Sequence, residues 1–298
     1  MKILLTGKDG QIGRELQRAL GQSGQVMALA RADANLEDLV ALQVLLQKER
    51  PDIIVNAAAY TAVDRAEQET ALATRVNTDA VATMALYAHR TKALLVHYST
   101  DYVFDGTKKS PYVENDTPNP LNVYGKSKRA GEQAIIDSGC DALIFRTSWV
   151  YAAHGSNFVK TMLKLAAERE TLSIVADQHG APTSAVLIAD VTALAIVEHN
   201  RKVLPSGLYH LTAAGAASWY EFACYIVKRA HAQGMKLKLS PENIKPITTK
   251  EYPLPALRPT NSQLDCTALR QALKLQLPDW KRHVDATVDQ LARMSVSS

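Results

Sequence analysis

The first thirteen residues, MKILLTGKDGQIG, constrain the chain most. Residues 1–6 form an apolar run that reads as a buried parallel strand. Gly7, Gly10 and Gly13 follow, and a helical pattern covers residues 14–21. Strand, glycine turn and helix in that order make a phosphate cradle. The glycines permit a tight turn and close backbone approach, and the helix N-terminus favours an anion. The spacing is GxxGxxG rather than GxGxxG, and an ordinary βα turn is the competing reading.

The alternation continues. Residues 25–30 are a second strand, ending in Ala30-Arg31-Ala32-Asp33. NAD enzymes place a carboxylate there to hold the ribose hydroxyls, whereas Arg31 suits a 2′-phosphate and favours NADP; a solvated loop charge is the alternative. A helix is expected to open at Asn35-Leu36 and run to about Arg50, with Leu39, Leu42, Leu45 and Leu46 on one face. Residues 53–59 read as a third strand whose small carboxyl end, Ala57-Ala58-Ala59, lets a cofactor approach the backbone. Tyr60 to Asp64 is then a loop at the ligand edge. A helix over 67–89 carries Asn77 in its middle, and a fourth strand over 93–98 runs into Ser99-Thr100-Asp101.

A long Pro/Asn/Asp-rich loop leads to Tyr124-Gly-Lys-Ser-Lys128. On a helix, Tyr124 and Lys128 share a face one turn apart. A cation beside a phenol stabilises the phenolate and lowers a pKa near ~10. The helix runs to about Ser138, where Gly139 stops it, and residues 142–146 are a further strand. Alternating strands and helices predict an α/β fold: a Rossmann-type doubly wound parallel sheet with ligands at its carboxyl edge.

Past residue 150 the pattern is irregular. Helices are expected over 157–169, 186–199 and 218–232, strands over 172–175 and 207–211, and a closing helix over 278–294 with Pro278 at its start. This divides the chain into a dinucleotide-binding domain, 1–150, to which 184–212 returns, and an interleaved substrate lobe of 151–183 and 213–298.

A hydrophobic share of 47% with 21% charged residues marks a globular chain, and a formal charge of +4 without a basic run gives no nucleic-acid surface. No apolar stretch approaches the ~20 residues that span a bilayer, and no signal peptide is read at the N-terminus, so a cytoplasmic protein is expected. Cys140, Cys224 and Cys266 have neither disulfide nor metal spacing. His179 reads as a loop histidine that helps close a pocket, and His97 and His154 read the same way; His89 reads as a helix-surface residue. No metal site is expected, Glu15 and Asp190 being isolated acids.

Four motifs in order, GxxGxxG, Asn-Ala-Ala-Ala, Ser-Thr-Asp and YxxxK, resemble the extended short-chain dehydrogenases/reductases. The longer words NAAAYTAVDRAE, VHYSTDYVFDG, PLNVYGKSK, FRTSWVY, DQHGAPT and RPTNS are similar to the dTDP-4-dehydrorhamnose reductase family, over residues 1 to about 265. The resemblance implies hydride transfer from NADPH, with NADH as the other option, to the C4 ketone of a dTDP-linked 4-keto-6-deoxy sugar. It makes Tyr124 the proton donor, Lys128 the holder of the nicotinamide ribose, and Thr100 the hydroxyl on the ketone oxygen. Ser99 is the rival, because adjacent strand residues face opposite ways and only one can serve.

The same resemblance sets Gly7, Gly10, Gln11, Ile12 and Gly13 at the pyrophosphate. It sets Ala57, Ala59 and Thr61 at the adenosine and Tyr98 at the nicotinamide, and the cofactor set also takes in Arg31, Asn35, Leu36 and Tyr60. Val63 and Trp149 match positions that meet the sugar or base. Arg258 offers a guanidinium fork to the substrate diphosphate, or is a surface arginine stiffened by Pro259. Other readings are a different nucleotide-sugar reductase or epimerase, and a binding subunit resembling the regulatory β subunit of methionine adenosyltransferase. A homodimer is compatible with all of them.

Overall fold

The computed structural model describes the backbone of residues 1–296. Its first half is β1 (Lys2–Thr6), α1 (Gln11–Leu20), β2 (Gln25–Leu29), α2 (Leu39–Glu49), β3 (Ile53–Asn56), α3 (Val63–Ala66), α4 (Thr70–Thr74), a π turn (Arg75–Asp79), α5 (Ala80–Thr91), β4 (Leu94–Thr100), α6 (Val123–Ser138) and β5 (Ala142–Thr147). The second half is β6 (Val150–Tyr151), α7 (Phe158–Glu168), β7 (Leu172–Val175), β8 (His179–Gly180), β9 (Thr183–Ser184), α8 (Ala185–Asn200), β10 (Gly207–His210), β11 (Ala217–Ser218), α9 (Trp219–Ala232), β12 (Ile244–Ile247), α10 (Thr267–Leu273) and α11 (Trp280–Val296).

Six strands form one sheet in the order β10-β5-β4-β3-β1-β2, and every neighbouring pair is parallel. The order reverses at β1, so a crevice opens at the carboxyl ends of β1 and β3. Both faces are covered, which is why the strands read as continuous apolar runs. On β1, Ile3 and Leu5 join one core and Leu4 the other. Each such fully buried side chain contributes about 1.5–3 kcal/mol relative to exposure.

Local chemistry sets several boundaries. The second helix starts at Leu39, not at Asn35, because the Asp38 carboxylate caps it by accepting from Ala41 N. Residues 35–38 are therefore a turn at the sheet edge. The third strand ends at Asn56, so the three alanines leave the sheet. The expected 67–89 helix is broken into α4, the π turn and α5, and Asn77 sits in the π turn. The closing helix begins at Trp280, and Pro278 lies before it, its carbonyl accepting from Ala214 N. The helix carrying Tyr124 and Lys128 is capped by Asn122, which accepts from Gly125 N, and ends at Gly139 with φ 62°.

The chain returns to the sheet after residue 184. Helix α8 packs on α1, and β10 pairs with β5. Elsewhere the second half holds two-stranded pieces, β7 with β12, β8 with β11 and β6 with β9. Trp149, Trp219, Phe158, Phe222 and Trp280 form an aromatic cluster there.

Candidate active site

A cleft of about 740 Å³ lies at the carboxyl edge of the sheet. Gly7, Gly10, Gln11 and Ile12 form its floor at the start of α1. Arg31, Asn35 and Leu36 form one end, Ala57, Ala59, Tyr60 and Thr61 one wall, and Tyr98, Tyr124 and Lys128 the other end. Gly13 does not line it. That glycine is needed one layer down: a Cβ there would stand 2.0 Å from the Gly7 carbonyl oxygen. Gly7 itself has φ +75°, and a Cβ on it would meet Ala58 N at 2.8 Å.

No side chain caps the N-terminus of α1, and no acid stands in its first turn. Its unpaired N–H groups and positive end are thus available to an anion. The residues present fit a dinucleotide whose pyrophosphate rests on α1.

Secondary contacts fix the walls. Asn77 accepts from Tyr60 N at 2.9 Å and donates to Tyr60 O at 3.0 Å and Ser127 Oγ at 3.0 Å. The π turn thereby ties the Tyr60 loop to α6, and a Cβ on Gly131 would stand 2.2 Å from the Asn77 carbonyl oxygen. Gln11 accepts from Asn157 Nδ2 at 2.9 Å, which holds the 150–157 segment over the cleft. Arg31 is ion-paired with Glu37, so its charge is already partly met. Glu37, Asp9, Glu69, Thr147, Gly155 and Ser156 also line the cleft and were not in the sequence-based set. They come from loops and strand ends whose approach depends on tertiary packing.

At the end of β4 the two hydroxyls diverge. The Tyr124 phenol lies near the Thr100 side chain, whereas Ser99 lines the cleft beside Glu132 and its Oγ makes no hydrogen bond among the described residues. Thr100 Oγ1 also accepts from Tyr102 N at 3.1 Å and donates to Asp101 Oδ1 at 3.0 Å. Burial pushes the Tyr124 phenol up to about 12, against the lowering effect of Thr100. This corrects the expectation of a lowered phenol: desolvation of the phenolate outweighs the stabilising groups around it. A neutral phenol at ordinary pH is a proton donor. Burial takes Lys128 down to about 8, with Glu132 opposing it. Asp101 rises to about 7, mainly through burial.

His97 is not a loop histidine. It is fully buried on β4, with Nε2 3.1 Å from Lys128 Nζ and Nδ1 3.2 Å from Asn56 Nδ2. Sequence carried one signal for it, a histidine inside an otherwise apolar strand. His179 is exposed and away from the cleft, and His154 Nδ1 lies 3.7 Å from Glu15 Oε1. Nor are Glu15 and Asp190 isolated, since Arg18 reaches both, at 3.4 and 2.6 Å.

Of the residues expected to meet a substrate, Tyr124 lines the cleft, while Val63, Thr100, Trp149 and Arg258 lie outside it. Arg258 is held by Asp64, next to Val63, and also contacts Tyr102, whose ring meets the Tyr124 ring edge-on at 6.0 Å. Trp149 has φ 47° and stacks on Trp219 at 3.6 Å, so one of its faces is covered. A Cβ on Gly180 would fall 2.6 Å from its indole, which is how a bulky residue is accommodated in that strained turn.

Residues 1–293 match the family model described as the RmlD substrate binding domain. A dTDP-4-dehydrorhamnose reductase from Burkholderia thailandensis is 50% identical over 98% of this chain and 99% of its own. The structure of a dTDP-4-dehydrorhamnose reductase from Clostridium acetobutylicum is 36% identical with a TM-score of 0.89, covering 98% of this chain and 99% of that one. A dTDP-4-dehydrorhamnose reductase from Bacillus anthracis, solved in complex with NADP, is 35% identical with a TM-score of 0.87, covering 97% and 99%. The similarity thus runs past residue 265, where the sequence words gave out, and takes in α10 and most of α11.

Proposed function

The chain belongs to the dTDP-4-dehydrorhamnose reductase family, and from that premise we propose how its own residues carry the reaction. It is an NADP-dependent oxidoreductase that reduces the C4 ketone of dTDP-4-dehydro-L-rhamnose to give dTDP-L-rhamnose. A relative at half identity that is itself a reductase speaks against the epimerase and binding-subunit readings.

The observation that carries the assignment of roles is the placing of Tyr124 and Lys128 together at the end of a cleft floored by Gly7 and Gly10, with the Thr100 side chain near the Tyr124 phenol. NADPH, when bound, supplies the hydride. The free N–H groups of α1, with Gly7, Gly10, Gln11 and Ile12, hold its pyrophosphate, and Gly13 lets helix and turn close together. Arg31, Asn35 and Leu36 take the adenosine end, Ala57, Ala59, Tyr60 and Thr61 the wall beside it, and Tyr98 and Lys128 the nicotinamide riboside. Tyr124 gives its proton to the ketone oxygen as negative charge develops there, and Thr100 hydrogen-bonds that oxygen and orients it. The sugar nucleotide sits on the Thr100 side, against Val63, the open edge of Trp149 and Arg258.

Residues 1–150 with 184–212 form the cofactor half and the remainder the substrate half. A cytoplasmic location is part of the proposal, and a nucleotide-linked substrate and NADPH support it. A homodimer is part of the same proposal and is tested by mass in solution. The activity test is NADPH oxidation with the dTDP-linked keto-sugar against its UDP- and GDP-linked analogues. Preferential oxidation with the dTDP compound is expected; none, at enzyme concentrations that bind NADPH, overturns the reading.

A further inference from the structure

His97 is a buried titratable group that the chemistry above leaves unused, and its surroundings fix where its proton lies. The Ala58 backbone N–H can only donate, and it points at Asn56 Oδ1 at 3.3 Å. Thr6 Oγ1 donates to the same oxygen at 2.8 Å. The carboxamide is thereby oriented, and its NH2 group faces His97 Nδ1 at 3.2 Å. An NH2 group is a donor, so Nδ1 carries the lone pair and the ring proton sits on Nε2. Nε2 lies 3.1 Å from Lys128 Nζ. An ammonium has donors only, so it cannot accept this N–H, whereas a neutral amine can. Thr6, Asn56, His97 and Lys128 are each at most 2% exposed, so two donors facing each other here are costly.

We propose that His97 is a positioning residue for the reductase: oriented from β3 through Asn56, it presents an N–H to Lys128 and favours the amine over the ammonium. Gaining the proton on Lys128 then requires the ring to move its own proton to Nδ1 and to give up the Asn56 hydrogen bond. The charged groups near Lys128 come from α6 and β5, where Glu132 of α6 is ion-paired with Arg146 of β5. Glu132, one turn on, favours the ammonium, and Tyr124 lies one turn back. Burial and the neighbouring Lys128 keep His97 neutral. Lys128 is thus a group whose charge switches near its own low midpoint, and the switch is built into the strand beneath it. The inference rests on Lys128 being a working member of the proposed site.

Long-range proton–nitrogen NMR of the cofactor-free full chain reads the tautomer directly, with His97 assigned by the signals that His97→Gln removes. The expected result is the Nε2–H form at alkaline pH, changing to Nδ1–H with the same midpoint as the Lys128 Nζ titration. His97→Gln offers an oxygen to the ammonium without adding charge, and should raise the Lys128 midpoint by about one pH unit. An Nδ1–H ring at alkaline pH, or a Lys128 midpoint that His97→Gln leaves unchanged or lowers, overturns the proposal. Should the variant not fold, the tautomer of the wild-type chain, assigned by sequential connectivity, decides alone. Neither reading uses turnover. An inactive chain with the expected tautomer overturns the reductase roles and not this coupling, and an active one with the other tautomer does the reverse.

Discussion

Arg258 and Asp64 face each other as a two-pronged ion pair, Nη1 to Oδ1 at 3.0 Å and Nη2 to Oδ2 at 2.7 Å. The pair joins α3 to a segment 192 and more residues later, and Asp64 Oδ1 also accepts from Ala256 N at 3.2 Å. A guanidinium so held is positioned for an anion, and its present partner is itself an anion. If the substrate diphosphate takes up Arg258, it competes with Asp64. Arg258→Ala should then raise KM for the nucleotide sugar by roughly ten- to a hundredfold, the ~1.5–3 kcal/mol of a hydrogen bond to a charged group. Asp64→Asn should lower KM by a few-fold. Steady-state kinetics at fixed NADPH check both; equal increases in KM would make the pair purely structural.

Tyr124→Phe removes the proposed acid and little else, because the ring's edge-on contact with Tyr102 is retained. Turnover should fall by ~10²- to 10⁴-fold, the contribution of a general acid, while NADPH affinity stays near that of the parent. Thr100→Val should lower turnover less, and Ser99→Ala least, because the Thr100 side chain neighbours the Tyr124 phenol, whereas Ser99 neighbours Glu132. A larger loss for Ser99→Ala than for Thr100→Val would reverse the assignment of the two hydroxyls.

The parts of the site legible in sequence are those set by short-range periodicity. The YxxxK spacing places Tyr124 and Lys128 on one helix face, and the glycine turn identifies the cradle because its conformation is local. Strand alternation says that Ser99 and Thr100 diverge, but which of them meets Tyr124 depends on how α6 crosses β4. That crossing is set by Gly125 and Gly131, which approach backbone from Tyr102 and Asn77. His97 is misread for the same reason, since its partners Asn56 and Lys128 lie 41 and 31 residues away. Asn77 is visible as a polar residue inside a helix, yet its role needs a π turn that no periodicity forecasts. Asp38 as a cap is recoverable from residue type alone, and its competition with Asn35 for the helix start is settled by the bond to Ala41 N.

Gly13 and Gly10 should respond differently to alanine, although both belong to one motif. A Cβ on Gly13 falls 2.0 Å from Gly7 O and 2.7 Å from Gly7 C, both backbone atoms, so the turn itself must shift. A Cβ on Gly10 meets only Gly7 O at 3.2 Å. Gly13→Ala is expected to cost about 1–3 kcal/mol of stability through overpacking and to weaken NADP binding. Gly10→Ala should leave the thermal midpoint near that of the parent and act on cofactor affinity instead. Melting curves with and without NADP separate the two effects, and equal destabilisation would contradict the close approach at Gly13.

Asp101 should make the stability of this protein fall with rising pH over a defined window. Its carboxyl is buried and titrates at about 7 in the folded chain, against an ordinary value of 3.8. Below that ordinary value both folded and unfolded chains hold the proton, and the group contributes no pH dependence. Between pH ~4 and ~7 the unfolded chain has released its proton and the folded chain has not, so each step upward favours unfolding. Above the folded midpoint the loss is complete and constant. Other carboxylates act in the opposite sense, Asp105 among them, whose hydrogen bonds from Thr107 and Asn119 hold it well below the usual range. The difference between parent and Asp101→Asn isolates the effect, because asparagine keeps an acceptor for Thr100 and cannot ionise. The variant's thermal midpoint should gain on the parent's as pH rises from ~4 to ~7 and then run parallel to it. A difference that is flat across that window would mean that Asp101 ionises in the folded chain as easily as it does in water.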